Sequence, residues 1–297
     1  MDSAQMRAHL GSIVKGQDDL LDDLCPFLAE RLTQPAVRRP LASLCLLGEA
    51  ATGKTTLVRA LAEYLQPHQR SLLRFDCDEL MTPEGSVRLI GYPPHYSWAG
   101  GSREGQLTGP LLENPKRVLV FDHFERAHSS VREILLEMLT RGHLTDAPSG
   151  RIADLSDAVV ILTTYLNTYA TDDEGEFTNT MQAILARSPQ RPVDPALAWI
   201  LQSVDKVCVF RPLTSIAVLE IAVQQAAKMA MDYGLELAWI DPDVLFQAAT
   251  GGRFHPRLVD RELSDRLCDE LLAAKEAGWQ RVRIELKRGR PAATPAP

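Results

Sequence analysis

Cysteine is scarce in this sequence and has no paired spacing. The five thiols, at positions 25, 45, 77, 208 and 268, are odd in number and contain no C-x-x-C pair. That excludes a disulfide framework or a thiolate zinc site, and it predicts reduced thiols packed in a cytoplasmic interior. Long apolar runs are missing as well. No window approaches 18 uncharged apolar residues, and Met1-Asp2-Ser3-Ala4-Gln5-Met6-Arg7 has no basic segment leading into an apolar one. The expectation is a soluble cytoplasmic protein with no membrane insertion. Excess positive charge is also absent, since 32 Lys and Arg against 39 Asp and Glu leave a net charge of −7. A chain with that balance is not built to coat nucleic acid. The seven histidines are scattered without metal-ligand spacing.

What is present is enough apolar side chain to fold. The 297 residues, 45% of them hydrophobic, allow about two domains. Leu41 to Leu47 is a short, continuously apolar run, as expected of a strand buried on both faces of a parallel sheet. Ser71 to Phe75, Arg117 to Phe121, Ala158 to Thr164 and Lys206 to Phe210 look alike. Helical spacing over Asp18 to Leu32 precedes the first run, and over Thr55 to Leu65, Gly105 to Leu112 and Ser130 to Leu139 it lies between them. Alternating strands and helices predict an α/β fold with a five-stranded parallel sheet, and ligands of such sheets bind at the carboxyl ends of the strands. The pattern changes near Phe210-Arg211-Pro212, where long amphipathic helices take over. Residues 1–211 therefore read as a nucleotide-binding domain and 212–287 as a smaller, mostly helical domain. Residues 288–297 lack large apolar residues and read as a disordered tail.

Gly48-Glu49-Ala50-Ala51-Thr52-Gly53-Lys54-Thr55 fits G-x-x-x-x-G-K-[ST] in full, after a buried strand and opening a helix. The glycines let backbone N–H groups converge on phosphate oxygens, and the helix N-terminus adds partial positive charge. Lys54 would reach the β and γ phosphates, and the Thr55 hydroxyl would ligate Mg²⁺. Val118-Leu119-Val120-Phe121-Asp122 supplies the second half, an apolar strand ending in a carboxylate that holds the Mg²⁺ shell opposite Thr55. The implied cofactors are ATP or ADP with Mg²⁺.

Around these two halves the sequence resembles the AAA+ ATPases, and more closely the second ATPase module of the ClpB and ClpA unfoldases, from about Val14 to Lys287. The ordered matches are Gly16-Gln17-Asp18, Arg88-Leu89-Ile90-Gly91-Tyr92-Pro93-Pro94, Gly105-Gln106-Leu107-Thr108, Phe121 to His128, Gly142-His143-Leu144-Thr145-Asp146 and Val209-Phe210-Arg211-Pro212-Leu213. The resemblance implies a P-loop domain followed by a small helical lid, ATP between them, assembly into a homo- or hetero-oligomeric ring, and work on protein partners or polypeptide substrates. It also implies that Val14 and Lys15 lie beside the adenine and that Tyr96, with Trp98 added in this chain, sits on a loop that grips polypeptide. Thr145 to Arg151 corresponds to a second such loop, although Pro148-Ser149-Gly150 equally suits an ordinary hairpin.

Within the nucleotide site the departures from the family fall on hydrolysis. Where the family has a water-polarising glutamate after the Mg²⁺-binding aspartate, this chain has His123, and Tyr165 occupies the position of the sensor asparagine. Ser203 stands at the arginine finger, while the lid arginine falls next to Pro256, leaving Arg257 one place late and Arg253 three early. By this resemblance the chain binds ATP and has weakened or absent hydrolysis, as a regulator or scaffold. The alternative is an active ATP-driven unfoldase.

Overall fold

In a computed structural model of the chain, residues 1–34, 39–94, 103–164 and 195–297 are described. They divide into two compact units, Met1–Val14 with Asp18–Arg211, and Lys15–Gln17 with Pro212–Pro297.

The first unit opens with α1 (Ser3–Ile13), whose first turn is capped by Asp2 accepting from the Ala4 N–H at 2.8 Å, and α2 (Asp18–Arg31). There follow β1 (Ala42–Leu47), α3 (Lys54–Leu65), β2 (Ser71–Asp76), α4 (Glu84–Ile90), α5 (Thr108–Glu113) and β3 (Arg117–Asp122). Next come α6 (Ser129–Arg141), a hairpin of β4 (His143–Thr145) and β5 (Ile152–Asp154), β6 (Val159–Thr164), α7 (Pro195–Ser203) and β7 (Lys206–Val209). Five strands form one parallel sheet in the order β2-β3-β6-β1-β7.

Because side chains alternate across a strand, each continuous apolar run feeds two cores. Leu44, Leu46, Val120 and Ile161 face the layer containing Leu10, Leu24 and Leu61. Cys45, Leu47, Phe121 and Leu162 face the layer containing Val131, Leu135 and Met138. Phe121 stacks on Phe75 of the neighbouring strand, with centroids 5.0 Å apart and planes 17° from parallel. The expected helix from Gly105 is shorter than its spacing suggested. Gly105 lies before α5, so close to the chain that a Cβ there would stand 2.5 Å from the Leu89 carbonyl oxygen.

The sheet is locked at its amino edge. The Asp205 carboxylate accepts from the Ser43 N–H at 2.8 Å and the Ser43 hydroxyl at 2.7 Å, and it is ion-paired with Arg31 of α2. Asp205 also donates its own N–H to the Ser43 carbonyl at 3.0 Å. At the opposite edge the register sets Asp76 beside Asp122 and Leu47 beside Thr164, so the polar ends of three strands lie along the rim where β1 leaves for α3.

The second unit contains α8 (Ser215–Asp232), β8 (Glu236–Ile240), α9 (Pro242–Gly251), α10 (Pro256–Glu276), β9 (Arg281–Lys287) and β10 (Arg290–Pro295). Val218, Ala222, Val244, Leu263, Leu267, Val282 and Ile284 are in its core. The tail expected to be disordered is β10, antiparallel to β9, so that expectation is corrected. Arg288 and Gly289, with φ of 53° and 79°, make the tight turn with two positive φ values that antiparallel strands favour. The ladder then needs no large apolar side chain, and the Ala293 N–H adds a hydrogen bond to the Glu270 carboxylate at 2.9 Å. Pro291 and Pro295 are tolerated because β10 is an edge strand.

Asp241 ties this unit together. Its carboxylate accepts from the Asp243 N–H at 2.9 Å, capping α9, and from the Leu286 N–H at 3.4 Å on β9. Asp241→Ala is expected to lower the unfolding free energy of this unit by about 1–2 kcal/mol, as loss of such a cap does, measured by urea denaturation.

Candidate nucleotide-binding site

β1 ends at Leu47, and the chain must reverse at once to start α3 at Lys54. It does so through three left-handed or unusual positions, Gly48 at φ 151°, Ala51 at φ 63° and Gly53 at φ 106°. A side chain at Gly48 is excluded, since its Cβ would lie 2.8 Å from Phe210 Cβ and 2.9 Å from the Phe210 carbonyl oxygen. Gly53 is the N-cap of α3 and offers no side-chain cap to the first turn. The helix therefore starts with N–H groups available to an anion. Thr52 closes the loop from within, its hydroxyl donating to the Glu49 carbonyl at 2.9 Å.

Lys54 is buried beneath this loop. Its Nζ donates to the Gly48 and Glu49 carbonyl oxygens, each at 2.6 Å. Burial pushes the ammonium down to about 8 from the ordinary lysine value, and the negative charges of Glu125, Asp122 and Glu49 partly oppose that fall. A phosphate arriving beside Lys54 favours its charged form and raises that value again. Binding above about pH 8 is therefore expected to take up a proton, and affinity falls as pH rises further. Comparing ADP binding heats in buffers of different ionisation enthalpy checks this.

Asp122 is buried at the end of β3 and held from two sides. Thr163 donates its hydroxyl to Oδ1 at 2.8 Å, and the Arg74 guanidinium donates to Oδ2. Thr55 is exposed in the first turn of α3. The pre-shaped loop, the excluded Cβ at Gly48 and the oriented carboxylate fit a nucleotide polyphosphate with Mg²⁺, which Thr55 and Asp122 would hold. Mg²⁺ in such a site neutralises charge on the phosphate oxygens.

His123 follows with a left-handed backbone, φ 55° and ψ 44°. Its N–H points to the Thr163 hydroxyl at 3.4 Å, and its Nδ1 faces the carboxylates at the start of the next strand's loop, 3.8 Å from Asp76 and 3.6 Å from Asp78. Val14 is buried, its Cγ1 3.8 Å from where a Gly53 Cβ would be, at the same distance as the Phe210 ring. Lys15 and Arg257 belong to the second unit, Arg257 exposed in the first turn of α10. Tyr96, Trp98 and Tyr165 lie outside the described residues.

Ser203 ends α7 with its hydroxyl donated to the Trp199 carbonyl at 2.7 Å, within its own helix. Residues 145–151 are the last residue of β4 and the β4–β5 turn, where the buried Asp146 accepts from Thr108 and Ser149. Sequence reasoning missed Arg74, Thr163, Glu125 and Phe210. A polar residue inside an apolar strand run was the available signal for Arg74 and Thr163.

The family signature described as AAA domain (Cdc48 subfamily) matches residues 39–197, which spans the loop, both site strands and β6. The chain belongs to the AAA+ family, in its Clp group. Among curated proteins this AAA+ chain is 31% identical to the chaperone protein ClpB of Corynebacterium efficiens, over 96% of its own length and 33% of the relative's. It is 32% identical to ClpB of Corynebacterium diphtheriae over 94% of its length and 32% of the relative's, and 30% identical to ClpB of Helicobacter hepaticus over 96% and 33%. The AAA+ chain thus spans about a third of the length of the curated relatives it matches. Among the described residues no helix is long and apolar enough to cross a membrane.

Proposed function

We propose that this AAA+ module binds ATP or ADP with Mg²⁺ in the cytoplasm and hydrolyses ATP slowly or not at all. Nucleotide then sets its shape and its assembly with protein partners, in a homo- or hetero-oligomeric ring. The observation that carries this reading is the contrast within one site. Gly48, Gly53, Lys54, Thr55 and Asp122 provide for binding, whereas His123 turns its Nδ1 to Asp76 and Asp78. General-base assistance is worth about 10²- to 10⁴-fold, so a module without it turns over slowly while binding well. In this reading Val14 and Lys15 contact the adenine, Arg257 reaches toward the γ-phosphate, and the loop bearing Tyr96 and Trp98 meets polypeptide.

The second reading, an active protein-remodelling motor, is favoured by the likeness to ClpB chaperones over nearly the whole chain. Nucleotide affinity and phosphate release by the purified protein separate the two. Tight binding with phosphate release at least about 10²-fold below that of an AAA+ protein carrying the usual glutamate is expected. Robust release abolished by Lys54→Ala would establish the motor. Absence of nucleotide binding would sink both readings.

A further inference from the structure

The loop after β2 and the residue after β3 bring together three groups of metal-binding chemistry. Asp76, Asp78 and His123 each offer one ligand atom, and these atoms lie within 4.8 Å of one another. Asp76 ends β2 and Asp78 lies in the turn after it, while His123 follows Asp122 of β3, which the register sets beside Asp76. The left-handed backbone at His123 then turns its Nδ1 inward, where it is shielded from solvent and faces both carboxylates.

The separations of 3.6 and 3.8 Å are too long for direct hydrogen bonds. They are close to the spacing of two ligands sharing an ion. Nitrogen and oxygen atoms each about 2.1 Å from a tetrahedral metal stand roughly 3.4 Å apart. Arg126 balances part of the charge, its Nη1 lying 3.0 and 3.1 Å from the two Asp78 oxygens, and Asp76 accepts from the Asp78 N–H at 3.0 Å. Both carboxylates remain partly open to solvent, 52% and 37% exposed, while the imidazole is 21% exposed. An ion therefore has a route in and an open fourth position for water.

We infer that Asp76, Asp78 and His123 form a site for a divalent transition-metal ion, with ligands different from the Thr55 and Asp122 assigned to Mg²⁺. Imidazole with two carboxylates suits zinc, cobalt or manganese rather than magnesium, which prefers oxygen alone. An ion held there takes the Nδ1 lone pair of His123, so metal ligation and proton abstraction at that nitrogen exclude each other. The inference needs no nucleotide and stands apart from the reading above.

The test titrates the chelator-treated full-length chain with Co²⁺ and no nucleotide, following visible d–d absorption. One equivalent is expected to bind with the intense absorption of a four- or five-coordinate ion, and Zn²⁺ is expected to displace it. Loss of an outer partner of a metal ligand costs about 10- to 100-fold in affinity, so loss of a direct ligand in His123→Ala or Asp78→Asn is expected to exceed 100-fold. The part-exposed Asp78 makes the second variant the safer one for folding, and thermal melts are run beside both. Weak octahedral absorption alone, a thiolate-to-cobalt charge-transfer band, or affinity unchanged in folded Asp78→Asn would overturn the site.

Discussion

Lys54→Ala is expected to weaken ATP and ADP binding by about 10²- to 10³-fold and to erase the nucleotide-dependent rise in melting temperature. Two charge-assisted hydrogen bonds of about 1.5–3 kcal/mol each are available to phosphate oxygens from this ammonium, and some 1.4 kcal/mol corresponds to each factor of ten. The effect is tempered because Lys54 already spends its donors on the Gly48 and Glu49 carbonyl oxygens, which binding must release. The nucleotide-free protein is expected to change little in stability. Alanine leaves two carbonyls without a donor but also removes an ammonium that burial disfavours. Titration calorimetry and thermal melts report the two quantities separately. Retention of affinity within threefold of wild type would contradict the placement of phosphate at this loop.

His123→Glu is expected to raise phosphate release by about 10²- to 10⁴-fold, the usual worth of a positioned base. The introduced carboxylate would face Asp76 and Asp78, which lie under 4 Å from the present Nδ1. Like charge disfavours its lying against them, so it turns out of the pocket that the imidazole fills. A gain of less than tenfold, with nucleotide affinity intact, would move the bottleneck elsewhere. Ser203, where the family resemblance would put an arginine finger, is then the first suspect, since its hydroxyl is committed to Trp199 within α7.

The architecture and the phosphate loop were legible in the sequence for a physical reason. A strand buried on both faces is apolar at every position, and G-x-x-x-x-G-K-T constrains backbone as well as side chain, so Leu44 to Thr55 speaks for itself. Pairings across the sheet were not legible. Arg74 reaches Asp122 because the register puts Asp76, two residues further on, beside it, and register is not written in either strand alone. Thr163 bonds Asp122 for the same reason, two strands meeting at one height. The ladder of β10 escaped because pairing of main chains leaves no apolar mark, and Arg288-Gly289 was the single local sign of it. His123 stood out as a substitution, yet its orientation toward Asp76 and Asp78 depends on a left-handed backbone that no spacing rule supplies.

The clamp of Arg31, Asp205 and Ser43 has a mechanical meaning. It fixes β1 to β7 and to α2 at the rim away from the phosphate loop, with four hydrogen bonds and an ion pair. At the other rim, β1 runs into a loop of positive-φ residues tied by the Thr52 hydroxyl on the Glu49 carbonyl and by Lys54 on the Gly48 and Glu49 carbonyls. The ties at this rim include the ammonium that a phosphate would recruit, whereas those of the clamp involve no group of the site. Rearrangement on phosphate binding is therefore expected in the donors of Lys54, with the sheet behind the loop as the anvil.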